Sequence, residues 1–334
     1  MKPVIGITMG DPAGIGPELI LKAWRANRLH RICRPAVIGS VNVLQFYSKK
    51  LDLPVNFRFI KKIDDAEFQE GTIDILDNGF YISDVPAAGR ISPECGNAAV
   101  QYTLEAGKLA LEKKISAIVS APLNKEAMRN AGYNYEGQTQ ILGELCGAER
   151  YGMILLLGPV RVMMLTTHIA LREACDRVTE DRVSTMIELA HQTLQGFGIK
   201  KPRIAVAALN PHGGEGGLFG REEIEGSLPA IKKAEGRGII VTGPVPADVV
   251  FLKAKQGEYD LVLAMYHDQA NMAAKLLGFG EVVTVLAGLP IIRTSVGHGT
   301  AFDIAGKGIA KEGNFIRAIE AAADLAVLKG AEAP

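Results

Sequence analysis

The sequence carries no excess charge of either sign: Lys and Arg together number 37, and so do Asp and Glu, over 334 residues. No net field recruits a phosphate polymer or an acidic membrane, and no Lys/Arg block does so locally, so neither nucleic acid nor a membrane surface is an expected partner. Cysteine is scarce and scattered, and Cys33, Cys95, Cys146 and Cys175 form no Cys-x-x-Cys pair. That spacing argues against a zinc knuckle, a redox dithiol and a secreted disulfide framework. Long apolar runs are missing too. None approaches the ~18 residues a membrane span needs. The opening Met1-Lys2-Pro3-Val4-Ile5-Gly6-Ile7 turns polar at Asp11 before a signal-peptide core forms, so a cytoplasmic protein is expected. No internal repeat, low-complexity tract or Pro/Ser-rich linker is found.

What is present fits a globular α/β enzyme: 48% hydrophobic residues, 22% charged residues and 37 glycines spread along the chain. The length exceeds what one hydrophobic core usually supports, so two domains, or one large α/β domain, are expected. Short apolar runs bounded by Gly, Pro, Asn or Asp predict strands at Val4 to Met9, Ala36 to Ile38, Ala117 to Ser120, Met153 to Leu157, Val162 to Thr166, Ile204 to Leu209, Ile239 to Val241, Leu261 to Met265 and Val282 to Leu286. Three- and four-residue apolar spacing predicts helices at Pro17 to Leu29, Asn97 to Lys113, Thr179 to Phe197, Ile224 to Ala234 and Phe315 to Lys329. The alternation reads as βα units around a largely parallel sheet.

Three of the six histidines, His168, His212 and His267, directly follow predicted strands. Side chains just beyond the carboxyl ends of parallel strands converge on a binding crevice although they are distant in sequence. Three neutral imidazoles with an open position suit Zn²⁺, Co²⁺ or Ni²⁺ better than Mg²⁺. Any one of them, taken alone, reads equally well as a strand-end cap. Asn210-Pro211-His212-Gly213-Gly214-Glu215-Gly216-Gly217 is a glycine-dense loop that lets backbone approach a ligand. His30 and His191 lie in helical stretches and receive no role.

Met9-Gly10-Asp11-Pro12-Ala13-Gly14-Ile15-Gly16-Pro17-Glu18 joins the first strand to a helix whose free N–H groups suit an anion or a cofactor. It is not the G-x-G-x-x-G fingerprint, and a plain tight turn fits equally. Ala121-Pro122-Leu123-Asn124-Lys125, Lys275 and Arg293 supply cations for a carboxylate or phosphate. The apolar surroundings of Arg293 favour a paired guanidinium, whereas sequence period does not decide whether Lys275 faces a site or water.

Through the Met9 to Glu18 loop, Ala121 to Lys125, Asn210-Pro211-His212 and Ala264-Met265-Tyr266-His267-Asp268-Gln269, the chain resembles the 4-hydroxythreonine-4-phosphate dehydrogenase family over nearly its whole length. The resemblance implies an isocitrate/isopropylmalate dehydrogenase-like fold with two α/β domains flanking a central cleft. Residues 1–122 with 288–334 would form the cofactor-side domain, and 123–287 the domain of metal, substrate and dimer contacts. His298-Gly299-Thr300-Ala301-Phe302-Asp303-Ile304-Ala305-Gly306-Lys307-Gly308 is similar to the adenosine-binding stretch of those dehydrogenases. This implies NAD, with NADP as the alternative, held by Gly14, Gly16, His298 and Asp303.

The same resemblance makes His168, His212 and His267 ligands of one divalent metal (Zn, Co, Ni or Mg) shared across a homodimer interface. It places Gln138, Thr139, Lys275, Thr284 and Arg293 against the substrate. Gln138 stands where the biosynthetic enzymes usually have histidine and Thr284 where they usually have asparagine, which points to a different anion or to a catabolic branch. The activity implied is oxidation of a secondary alcohol in a small phosphorylated hydroxy acid, with decarboxylation of the 3-keto product and with Lys275 or Asp268 relaying the hydroxyl proton. The alternatives are a 4-phospho-D-threonate or 4-phospho-D-erythronate dehydrogenase, a cis-dihydrodiol carboxylate dehydrogenase, and a catalytically silent phospho-metabolite sensor.

Overall fold

The computed structural model describes residues 2–26, 28–77, 79, 87–278 and 280–331. Among these residues the strands are, in chain order, β1 (Val4–Thr8), β2 (Arg34–Ile38), β3 (Asn56–Ile60), β4 (Thr72–Leu76), β5 (Ala117–Ser120), β6 (Gly152–Leu157), β7 (Val160–Met164), β8 (Arg203–Ala207), β9 (Ile240–Val245), β10 (Leu261–Ala264), β11 (Val283–Ala287) and β12 (Arg293–Val296). The chain divides into two compact units, Met1–Glu149 with Leu289–Pro334, and Arg150–Gly288. Residues 123–149, expected in the second domain, fall in the first unit. The reason lies in packing: Met128 and Ile141 share a buried cluster with Val100 of the long helix Pro93–Leu111.

In the first unit the strand order is β3-β4-β2-β1-β5-β12, and every pair is parallel. After β1 the chain builds outward on one side and then returns on the other at β5, which makes the junction of β1 and β5 a topological switch point. The loops beyond those two strands meet there, with Asp11 N–H donating to the Pro122 carbonyl at 2.8 Å. Ser92 caps the helix Pro93–Leu111 by accepting from Cys95 N–H, and Asn124 caps Lys125–Asn130 by accepting from Ala127 N–H.

In the second unit the order is β11-β6-β7-β10-β8-β9. β6 and β7 form an antiparallel hairpin, β11 is antiparallel to β6, and β7, β10, β8 and β9 are mutually parallel. Successive residues alternate between two cores. Ile154, Met163, Val206 and Leu263 pack with Val183, Met186 and Ile187 of the helix Glu180–Gly196. Leu155, Val162, Ala205 and Val262 face Val250 and Phe251 of Ala247–Lys255 and Ala270 and Ala274 of His267–Leu277. Burial of both faces is why these strands read as continuous apolar runs rather than as alternating ones.

The stretch expected as one helix from Ile224 to Ala234 is a π turn, Glu223–Ser227, followed by the α-helix Leu228–Glu235. The expected helix from Pro17 to Leu29 ends earlier, as Gly16–Arg25, and the short helix Leu29–Ile32 follows it. Among the described residues no helix is long and apolar enough to cross a membrane.

Candidate functional site

Because β7, β10 and β8 are neighbours and parallel, their carboxyl ends lie side by side on one edge of the second unit's sheet. His168 follows β7, His267 follows β10, and His212 follows β8. Hydrogen bonds brace these exits against one another. Thr166 Oγ1 donates to the Met265 carbonyl at 2.9 Å, and Leu165 N–H donates to the Ala264 carbonyl at 2.8 Å. Gln269 ties β10 to β8: its Oε1 accepts from Met265 N–H at 2.7 Å while its Nε2 donates to the Ala208 carbonyl at 2.8 Å.

His168 and His267 come together, with ring centroids 5.7 Å apart and planes inclined at 42°. Two imidazoles bound through nitrogens about 2.1 Å from one cation have centroids roughly 5–6 Å apart, so this spacing fits a pair of ligands. His267 Nδ1 lies 2.6 Å from Asp268 Oδ1. With the proton on Nδ1, the carboxylate holds it and leaves the Nε2 lone pair outward, the arrangement that orients histidine toward a metal. His212 does not join them within one chain. Among the described residues no three His, Cys, Asp or Glu side chains gather closely enough to hold a metal ion.

The His212 loop has an unusual backbone. His212, Gly213, Gly214, Glu215, Gly216 and Gly217 are six consecutive residues at positive φ, with values of 52°, 69°, 79°, 42°, 68° and 101°. For His212 and Glu215 this conformation costs on the order of 1 kcal/mol each, so surrounding contacts must impose it.

Lys275 lies in the last turn of His267–Leu277, is exposed, and makes no hydrogen bond or ion pair with the described residues. Met272 and Leu276, 64% and 85% exposed, share its outward face. Thr284 is the buried second residue of β11, opposite Leu155.

In the first unit Arg293 is buried. Its Nε donates to Ser120 Oγ at 3.0 Å and its Nη2 to Gln138 Oε1 at 2.5 Å, while Gln138 Nε2 donates to the Ala121 carbonyl at 3.1 Å. Burial pushes the guanidinium down to about 10, which still leaves it charged at neutral pH. No carboxylate of the described residues pairs with it, so a charged fork is held in place by neutral oxygens alone. That is the electrostatic condition of an anion site. Thr139 follows Gln138 in the helix Gln138–Leu145 and is half-buried.

Gly14 and Gly16 serve packing within the chain. A Cβ on Gly16 would lie 2.1 Å from the Met9 carbonyl oxygen, and one on Gly14 would lie 3.1 Å from Thr300 Cβ. His298 and Asp303 are exposed on the segment after β12. Glu18 anchors the end of that segment by accepting from Gly308 N–H at 3.2 Å and Ala310 N–H at 2.8 Å, and Lys22 donates to the two matching carbonyls.

Asp11, fully buried in the loop between β1 and Gly16–Arg25, accepts from Ala13 N–H through Oδ1 at 2.9 Å, while Oδ2 meets no well-aligned donor among the described residues. Burial raises its carboxyl from 3.8 to about 6, against the Ala13 and Asn124 backbone N–H groups, which lower it. Because the folded-state value exceeds the unfolded one, Asp11's contribution to stability is intact below about pH 4 and is lost as the pH rises through the folded value. Asp11→Asn is expected to be more stable than the parent by up to about 3 kcal/mol at pH 8, with the gain vanishing near pH 4, in urea unfolding at each pH.

Glu223 carries no recognisable sequence signal, yet its carboxylate accepts from Leu209 and Asn210 N–H, each at 2.8 Å. Ser120 and Thr166 were missed as well. Only Gln269 had a signal, standing two residues after His267.

The family model described as pyridoxal phosphate biosynthetic protein PdxA matches residues 31–322. The D-threonate 4-phosphate dehydrogenase of Cupriavidus necator is 46% identical over 325 residues, 97% of each chain. The solved 4-hydroxythreonine-4-phosphate dehydrogenase of Klebsiella pneumoniae superposes with a TM-score of 0.92 at 42% identity, over 98% of both chains. The terephthalate 1,2-cis-dihydrodiol dehydrogenase of Burkholderia xenovorans LB400 does so with a TM-score of 0.67 at 28% identity, over 96% of this chain and 98% of that one. The chain belongs to the pyridoxal phosphate biosynthetic protein PdxA family and is an oxidoreductase acting on a CH–OH carbon.

Proposed function

We propose that the chain oxidises the alcohol carbon β to the carboxylate of a small 4-phosphorylated hydroxy acid, with NAD and one divalent metal. D-threonate 4-phosphate is the first substrate candidate and 4-hydroxythreonine 4-phosphate the second. The observation that carries this reading is the pair of facing imidazoles, His168 and His267, at the ends of adjacent parallel strands, with His267 oriented by Asp268. His212 is the third ligand. The single chain gathers only a pair, so a second copy completes the set, and the active form is a homodimer with the metal at its interface. Exposed Met272 and Leu276, on the helix that His267 begins, offer that copy an apolar surface. Neutral nitrogen donors suit Zn²⁺, Co²⁺ or Ni²⁺ rather than Mg²⁺.

A divalent cation held by His168, His212 and His267 would supply Lewis acidity to the substrate hydroxyl, and NAD would supply the acceptor for the hydride on the alcohol carbon, leaving a β-keto acid able to lose CO₂. Arg293 holds an anionic group of the substrate, with Gln138 and Ser120 fixing the guanidinium plane. Gln138 adds no charge of its own, so the anion meets less positive charge here than beside an imidazolium. Lys275 is an exposed amine available as a cation to a phosphate oxygen or, in its neutral form, to take the hydroxyl proton. Asp268 orients His267 and is a positioning residue. On the stretch expected to bind adenosine, the exposed carboxylate of Asp303 repels a 2′-phosphate and so favours NAD over NADP.

Asp268→Asn is expected to weaken metal binding by about tenfold, because an amide no longer fixes the Nδ1–H tautomer of His267. Titration of the metal-stripped protein with Co²⁺ reads this directly. The substrate assignment is tested by NADH formation with D-threonate 4-phosphate, 4-hydroxythreonine 4-phosphate and unphosphorylated D-threonate. Turnover of a phosphorylated acid and none of D-threonate is expected. Equal turnover of D-threonate, or no turnover of any of the three, contradicts the proposal.

A further inference from the structure

We propose that Glu223 is a positioning residue for the metal centre: its buried carboxylate clamps the root of the strained His212 loop and thereby sets where that imidazole is presented. The inference rests on the reading of His212 as a metal ligand.

β8 ends at Ala207, and Ala208 N–H is the last in this stretch to find a backbone partner, the Val245 carbonyl at 2.7 Å. The next two N–H groups, of Leu209 and Asn210, turn instead to a single oxygen, Glu223 Oε1, each at 2.8 Å. The other oxygen, Glu223 Oε2, accepts from Asn210 Nδ2 at 2.8 Å, and the same amide donates to Glu222 Oε2 at 2.7 Å. Glu223 is only 1% exposed, yet no cation of the described residues pairs with it. Burying a carboxylate is costly unless donors surround it, and here three N–H groups do so.

The loop is built to close over this carboxylate. A Cβ on Gly214 would stand 2.9 Å from Glu223 Oε2, and a Cβ on Gly220 would stand 2.4 Å from Asn210 Nδ2. The run of positive-φ residues from His212 to Gly217 includes Gly214 and stops short of Gly220, and in it His212 adopts a conformation uncommon for a residue with a side chain. A segment in that state holds its shape only where its ends are fixed. Glu223 fixes the entering end from two residues before Pro211, and it is placed to do so because the chain enters the helix Leu228–Glu235 through a π turn that begins at Glu223 itself. Such turns are frequent at functional sites because they re-aim one side chain.

The network needs a group that only accepts. In Glu223→Gln one oxygen becomes an NH₂, which faces either Asn210 Nδ2 or the two backbone N–H groups, donor against donor. The loop can then relax from its left-handed run, and the His212 ring moves from its place.

The test uses the full chain, stripped of metal by a chelator and then titrated with Co²⁺, with binding read from visible absorption. Wild type, His212→Ala, Glu223→Gln and Asn210→Ala are compared, and thermal unfolding of each metal-free protein shows which are folded. Folded Glu223→Gln is expected to bind Co²⁺ roughly 10- to 100-fold more weakly than wild type and with an altered absorption band. Wild-type affinity in folded Glu223→Gln, with affinity lost in His212→Ala, overturns the clamp and leaves the metal reading standing. If Glu223→Gln does not fold, Asn210→Ala decides: weakened Co²⁺ binding supports the clamp and unchanged binding overturns it. No Co²⁺ binding by wild type, or undiminished binding by His212→Ala, overturns the metal reading itself.

Discussion

Alanine at His267 is expected to remove metal and turnover together. His267 is the best prepared of the three imidazoles. It stands at the head of a helix, its Nδ1 is engaged by Asp268 at 2.6 Å, and its ring lies 5.7 Å from that of His168. Removing it leaves one imidazole where two faced each other, and a single imidazole binds a divalent ion weakly. A Lewis acid at a developing alkoxide supplies several kcal/mol, so turnover should fall by at least about 10³-fold. The fold should survive, because the ring reaches solvent and no core residue depends on it. Metal content after dialysis, NADH formation and thermal unfolding of the variant check all three statements. A variant that keeps its metal and its rate would remove His267 from the site.

Methionine at Arg293 is expected to separate activity from stability. The guanidinium is buried, its partners Ser120 and Gln138 are neutral, and burial already lowers its proton affinity to about 10. A buried charge without a counter-charge is a cost that the free protein bears and an anionic ligand relieves. An apolar side chain of similar length removes that cost but leaves two oxygens short of a donor, so unfolding stability should hold or rise by about 1 kcal/mol. Two charge-assisted bonds to the substrate together amount to about 4 kcal/mol, which places the loss in kcat/KM near 10³-fold. Urea unfolding and initial rates on the same preparation test this. A strongly destabilised variant would show that Arg293 is structural.

The strands that carry the histidines were legible because both of their faces are buried, so β7, β8 and β10 appear as unbroken apolar runs with a turn after each. Their convergence was legible for the same reason, since parallel strands share an edge. β12 was not legible. Its residues Arg293, Thr294 and Ser295 are all buried, but they are polar because they serve the anion site and the β5 contact, and a count of apolar residues passes over them. β4 was hidden by Asp74, a buried carboxylate that pairs with Arg58 of β3, and of β3 itself only Ile60 is buried.

The Glu223 clamp left no periodic trace. It joins residues 13 and 14 positions apart through a carboxylate and two backbone N–H groups, and neither helix nor strand spacing reports such a bond. The same limit applied to Arg293, whose partners Ser120 and Gln138 lie 173 and 155 residues away. The histidine trio illustrates what one chain withholds: sequence order placed all three at strand ends, while the fold of a single copy brings only His168 and His267 face to face.

The most direct measurement follows the full chain, first freed of metal, as Co²⁺ or Zn²⁺ is returned in the presence of NAD and D-threonate 4-phosphate deuterated on the carbon β to its carboxylate. The account predicts no reaction before metal is added. After metal is added, it predicts deuterium on the reduced nicotinamide and one CO₂ released for each NADH formed. Deuterium transfer at full rate in the metal-free protein, or metal-bound dimer that reduces no NAD with any phosphorylated hydroxy acid, would contradict it.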